Sequence, residues 1–125
     1  MSMKALLIVI PITLFFAWQL QPLLHARRMR GKTAPKPENL PEAPDRLLYY
    51  FWSEHCGMCK SMTPIIHELA HERNDIIEVD IGNDMKLARQ FNIRATPTLV
   101  LVENGKVEKM LLGAKSRKKI LSLLQ

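Results

Sequence analysis

Tyr49-Tyr50-Phe51-Trp52-Ser53-Glu54-His55-Cys56-Gly57-Met58-Cys59-Lys60 decides how the rest of this 125-residue chain is read. The stretch begins as an apolar, aromatic run of strand length. It passes through two cysteines three positions apart and enters a segment of helical periodicity. These are the only cysteines in the chain, so no second pair is left for a structural disulfide and a packed core must supply the stability. At a helix N-terminus, unpaired backbone N–H groups and the helix dipole favour a thiolate. Cys56 is therefore the candidate nucleophile. Cys59, one turn further on, can approach the Cys56 sulfur and close a small disulfide, releasing whatever Cys56 has attacked. The spacing suits thiol–disulfide exchange.

On the C-terminal side, the spacing predicts a helix from about Cys59 to Arg73. Met62, Ile65, Ile66 and Leu69 fall on one face, and Lys60, His67 and His71 on the opposite one. Pro64 lies inside it and is expected to kink it. Ile76 to Ile81 reads as a second strand, and Asp84 to Phe91 as a short helix with Leu87, Ala88 and Phe91 turned inward. Thr98 to Val102 and Lys106 to Leu112 read as two strands joined through Glu103-Asn104-Gly105, an Asn-Gly hairpin signal. Ser116 is the expected N-cap of a last helix carrying Ile120, Leu121 and Leu124. Leu47 to Trp52, before the cysteines, has the composition of a central strand covered on both faces, with Tyr49 and Tyr50 expected one inward and one outward.

On the N-terminal side, Gly31 to Pro44 contains Pro35, Pro37, Pro41 and Pro44 among charged and polar residues, which favours an extended tether. Ala5 to Leu24 is almost wholly apolar and long enough to span a bilayer. Its length and the poor cleavage site at Leu24-His25-Ala26 favour an anchor over a removed signal segment. The expected division is 1–26 membrane anchor or signal segment, 27–46 basic, Pro-rich tether, and 47–125 folded domain. The last of these, roughly 80 residues, is small but sufficient for one core. Arg27, Arg28, Arg30 and Lys32 follow the apolar segment, so the positive-inside rule favours the cytoplasmic face for the domain. The formal net charge is +6, but the basic clusters at either end of the chain lack interleaved aromatic residues. Nucleic acid is not an expected partner.

Residues 47–125 resemble the thioredoxin family. The resemblance rests on Phe51-Trp52-Ser53-Glu54, on Cys56-Gly57-Met58-Cys59-Lys60, and on a proline five positions after the second cysteine. Ile93-Arg94-Ala95-Thr96-Pro97-Thr98, the Asn104-Gly105 turn and Gly113 before the last helix complete it. It implies an α/β thioredoxin-like fold, here a reduced form with a four-stranded mixed sheet flanked by helices and preceded by one transmembrane helix. Family members usually carry a further strand and helix before the active-site strand. The resemblance also implies a protein-disulfide oxidoreductase with Cys56 and Cys59 as its catalytic pair and no cofactor. Pro97 is expected to follow a cis bond, and Thr96 to offer main-chain hydrogen bonds to an extended client. Met58 would contribute to the docking surface, while His55, Gly57, Lys60 and Trp52 tune or shield the dithiol. The expected partners are protein thiols and disulfides and an upstream redox protein. The expected state is a membrane-held monomer, for which family analogy allows the periplasmic face.

Several positions depart from the family pattern. Tyr50 stands where an aspartate usually lies under the dithiol, and Glu78 replaces the lysine that often accompanies it. Proton transfer at Cys59 is left to water, to Glu78 if it points inward, or to no dedicated group. Met58 replaces the usual proline and His55 the usual tryptophan. A cation at His55 would favour the thiolate, and a couple less reducing than ordinary thioredoxin is expected. Two other readings compete. His67-Glu68-Leu69-Ala70-His71 matches H-E-x-x-H, the helical zinc-protease motif, but no later histidine supplies a third ligand, and both rings are expected on an open surface with no cleft. Cys56, Cys59, His55 and Met58 are ligands suited to Cu(I) delivery, although copper-delivery relatives of the fold usually separate their cysteines by three residues and place a histidine much later. No metal set is expected.

Overall fold

A computed structural model describes residues 2–37 and 42–125; Pro41 of the expected tether lies outside the described residues. The elements in chain order are α1 (Met3–Met29), β1 (Arg46–Trp52), α2 (Cys59–Glu72), β2 (Ile76–Asp80), α3 (Met85–Gln90), β3 (Thr98–Glu103), β4 (Lys106–Leu112) and α4 (Arg117–Leu123). They form one four-stranded sheet in the order β2-β1-β3-β4. β1 and β2 are parallel, and β3 runs antiparallel to both β1 and β4.

Both faces of the central strand β1 are covered, which explains its unbroken apolar composition. Leu48 and Tyr50 point to a layer built by α2 and α4, with Met62, Ile66, Leu69, Ile120 and Leu123 around them. Leu47, Tyr49 and Phe51 point the other way, to Val79, Ala88, Phe91, Val100 and Val107. Both tyrosines are therefore buried on opposite faces, Tyr49 to 1 % and Tyr50 to 0 % exposure, and the expected outward tyrosine does not exist. Tyr49, Phe51 and Phe91 form an aromatic cluster with ring centroids 4.7 to 6.2 Å apart.

Local chemistry fixes the element ends. Asn104 and Gly105 take φ of 51° and 76°, the left-handed pair that an Asn-Gly hairpin turn requires. Ser116 accepts a hydrogen bond from the Lys119 N–H, and Asp84 one from the Leu87 N–H, each capping its helix. Helix α2 runs unbroken through Pro64.

The greatest difference from the sequence expectation lies between the apolar helix and the sheet. α1 is long and apolar enough to cross a membrane, yet its last turns belong to the folded domain, where Ala26 and Met29 join the core face of Phe51 and Val107. After Gly31 (φ 84°) the chain runs along β4. The Gly31 N–H donates to the Val107 carbonyl at 2.6 Å, the Val107 N–H to that of Lys32 at 2.8 Å, and the Ala34 N–H to that of Gly105 at 2.8 Å. Residues 31–34 thus cover a sheet edge that would otherwise stay open. A basic, proline-rich composition hides such pairing because it is made by backbone groups, not side chains. Arg30 adds an ion pair with Glu108 at 3.2 Å.

Candidate active site

β1 delivers the chain to the dithiol and α2 carries it away. The Cys56 N–H donates to the Ser53 carbonyl and the Lys60 N–H to that of Gly57, forming two turns that place Cys56 just before the helix and Cys59 at its first position. The two sulfurs are bonded, with Cα atoms 5.3 Å apart. Cys59 is only 2 % exposed, whereas Cys56 is half-buried. Cys56 is therefore the more accessible cysteine, and the Cys59 N–H points at its sulfur from 3.2 Å. In the reduced protein that donor, together with the helix N-terminus, favours a Cys56 thiolate.

The flanking residues divide by burial. His55, Gly57, Met58 and Lys60 are exposed around the pair, and Trp52 is half-buried. Trp52, Cys56, Cys59, Lys60 and Thr63 line a shallow groove of about 250 Å³. The Thr96–Pro97 bond is cis. Pro97 is buried and Thr96 half-exposed. The Pro97 carbonyl accepts the Gly113 N–H at 2.9 Å, and a Cβ on Gly113 would sit 3.7 Å from Met58 Cε. Gly113 thus links the Met58 side of the dithiol to the Pro97 loop. The Thr98 hydroxyl closes that loop by donating to the Ala95 carbonyl at 2.6 Å.

Beneath Cys59 the structure supplies a partner that the sequence reading passed over. The Tyr50 hydroxyl lies 2.8 Å from Thr63 Oγ1 and 3.4 Å from the Cys59 carbonyl. Burial pushes the Tyr50 phenol above its usual range, the Thr63 hydrogen bond opposes this, and the Glu78 charge adds to it. The signal was Thr63 itself, a hydroxyl one helical turn after Cys59. Glu78 does not point inward to serve Cys59; its carboxylate meets His67 Nδ1 at 3.3 Å on the exposed side. His67 and His71 are exposed but do not stand apart on an open surface: their Nε2 atoms lie 3.3 Å from each other. Glu68, the acid of the H-E-x-x-H motif, forms an exposed ion pair with Arg117 at 3.0 and 3.4 Å.

A more accessible cysteine bonded to a buried one at a helix start, on a sheet flanked by helices, is the arrangement of a thiol–disulfide oxidoreductase. The family model for thioredoxin matches residues 37–125, and the chain belongs to that family. Over 78 residues it is 33 % identical to the thioredoxin of Mycobacterium tuberculosis, a match covering 60 % of this chain and 67 % of that protein. Over 80 residues it is 34 % identical to the thioredoxin of Chlamydia trachomatis, covering 62 % and 78 % respectively. It is also 31 % identical over 78 residues to the bifunctional thioredoxin reductase/thioredoxin of Mycobacterium leprae, where it spans 60 % of this chain and 17 % of that protein. Among solved structures, the N21Q mutant thioredoxin of Halobacterium salinarum superposes with a TM-score of 0.60 at 23 % identity, covering 72 % of this chain and 83 % of that one. The thioredoxin of Malassezia sympodialis gives 0.58 at 23 %, covering 77 % and 91 %.

Proposed function

We propose that this chain is a membrane-tethered disulfide exchanger in which Cys56 attacks and Cys59 resolves. The observation carrying the assignment of roles is the contrast between a reachable Cys56 and a Cys59 that is 2 % exposed. The Cys56 thiolate attacks one sulfur of a client disulfide; a Cys56–client bond forms and the other client sulfur leaves as a thiolate. Cys59 gives up its proton, and its thiolate attacks Cys56, releasing the second client thiolate. Two electrons have passed to the client, and Cys56–Cys59 is oxidised. An upstream dithiol restores it, and the reverse sequence oxidises a client.

The client lies along the Thr96–Pro97 loop, with Thr96 backbone groups pairing with its extended segment and Met58, 55 % exposed, giving apolar contact. His55, Lys60 and Trp52 border the reacting sulfur, and Gly57 leaves its approach free of a side chain. The anchor lies within residues 1–26, its support being the length and apolar composition of α1, although Ala26 at its end packs on the sheet domain. Residues 27–46 connect it to the exchange domain at 47–125, with the first part of the connection resting on β4. The basic run after the apolar segment supports a cytoplasmic domain. Cys59→Ser tests the roles: it should accumulate Cys56–client mixed disulfides, visible on non-reducing gels. If it traps none while the wild type still exchanges thiols, the assignment is wrong.

A further inference from the structure

His67 and His71 are consecutive members of one face of α2, and neither has a part in disulfide exchange. Their Nε2 atoms face each other at 3.3 Å, with the rings nearly perpendicular at 88° and centroids 4.7 Å apart. Two nitrogens each about 2.0–2.1 Å from a tetrahedral metal ion are separated by about 3.3–3.4 Å. The contact is an N–H···N hydrogen bond whose span equals that distance, so an ion can replace the proton between the two nitrogens. We propose that His67 and His71 form a two-histidine site for a borderline divalent transition metal, with zinc as the reference ion.

Glu78 prepares the pair. Its Oε2 lies 3.3 Å from His67 Nδ1; with Nδ1 protonated and donating to it, the His67 lone pair sits on Nε2, toward His71. A carboxylate on the far nitrogen of a ligating histidine orients the ring and raises its basicity. Imidazole donors suit zinc, nickel and cupric ions, whereas magnesium and calcium demand oxygen ligands. Among the described residues no group of three or more metal-binding side chains converges. The site therefore keeps open positions for water or for a donor group from a partner. Glu68 pairs with Arg117, and the proposed site uses the two histidines of the H-E-x-x-H sequence without its acid. His67 and Glu78, but not His71, also line a cavity of about 630 Å³ beside the outer edge of β2.

The consequence is mechanical. Metal on the histidine pair staples two turns of α2, and Glu78 ties those turns to β2. The helix so fixed is the one that begins at Cys59. Binding to the folded state alone raises stability by mass action.

The test uses the full chain, purified without a histidine tag in nonionic detergent and held oxidised so that Cys56 and Cys59 cannot bind metal. Calorimetric titration with zinc chloride at neutral pH should show one ion per chain, and thermal unfolding should shift upward with zinc but not with magnesium. His71→Ala, a change on an exposed helix face, should lose at least about tenfold in zinc affinity while keeping disulfide exchange and helix content. Glu78→Gln should weaken binding by about tenfold. No stoichiometric zinc uptake by the wild type, His71→Ala binding as tightly as wild type, or an equal thermal response to magnesium would each overturn the site.

Discussion

The Tyr50 hydroxyl sits 2.8 Å from Thr63 Oγ1 and reaches toward the Cys59 carbonyl, so a neutral phenol occupies the place beneath the dithiol where the family usually has a carboxylate. With Thr63 donating to Tyr50 and Tyr50 donating to Cys59, every polar atom of the trio is used. Burial raises the phenol above its ordinary range, so it stays protonated at neutral pH. It holds the first turn of α2 against β1 and does not take the Cys59 proton. With Glu78 turned to His67, proton transfer at Cys59 is left to water or to no dedicated group.

Adjacent tyrosines should respond oppositely to loss of the hydroxyl. Tyr50→Phe breaks the Thr63 pair and is expected to cost about 1 kcal/mol. Tyr49 Oη is buried and has no hydrogen-bond partner among the described residues, so Tyr49→Phe should leave stability unchanged or raise it by up to about 1 kcal/mol. Urea unfolding of the two variants side by side checks this. Equal destabilisation would refute the bonding pattern.

Stability should also fall at both ends of the pH scale. Burial raises the Tyr49 and Tyr50 phenols above 10.0. The unfolded chain then ionises first, so their contribution is full below pH 10.0 and is lost as pH rises through the folded values. Asp75 is shifted the other way. The Arg73 guanidinium, donating at 2.9 and 2.7 Å, holds its carboxyl below 3.8 against the opposing effect of burial. That contribution is present above pH 3.8 and disappears as pH falls through the folded value. The pair is partly exposed, so Asp75→Asn should remove no more than about 1 kcal/mol at neutral pH and flatten the acid limb of the unfolding midpoint against pH. An unchanged acid limb would remove Asp75 from the account.

How far the sequence could be read depended on where the determining contacts lay. The Asn104-Gly105 turn, the Ser116 cap, the order of strands and helices, and the cysteine pair are written in neighbouring residues. All could be read directly. The burial of both Tyr49 and Tyr50 is not, because alternation carries no information in a strand covered on both faces. Nor is the docking of residues 31–34 on β4, which joins backbone groups distant in sequence. The approach of Glu78 to His67 was hidden for the same reason: it requires knowing which face of α2 lies over β2.

Met29 tests whether the end of α1 is part of the domain or only leads to it. Its side chain is 4 % exposed and packs in the core that includes Phe51, Val107 and Met110. Met29→Ala should destabilise the sheet domain by about 2–3 kcal/mol, the lower part of the range for buried methionine, and should raise amide exchange in β4. A change within a few tenths would mean that residues 27–46 act as a free tether.

The last prediction concerns the direction in which the dithiol is poised. Met58, between Gly57 and Cys59, has φ −68° and ψ −27° and caps α2 without a side-chain hydrogen bond. Proline requires φ near −65°, a value this backbone already holds at Met58. Proline's absence leaves the approach to the helix with more freedom, which closing the disulfide must remove, so the reduced form is favoured. His55 and Lys60, exposed on either side, favour a thiolate when cationic and so make the disulfide easier to reduce. Both effects place the Cys56/Cys59 couple above roughly −270 mV, the value for thioredoxin. Equilibration of the protein with glutathione buffers, followed by thiol alkylation, measures it. Met58→Pro should move the couple toward the reducing side and, by limiting the unfolded chain, add about 0.4–1 kcal/mol of stability. A wild-type value at or below that of thioredoxin would reject the oxidising poise. A Met58→Pro variant with an unmoved potential would assign it to the basic flanks alone.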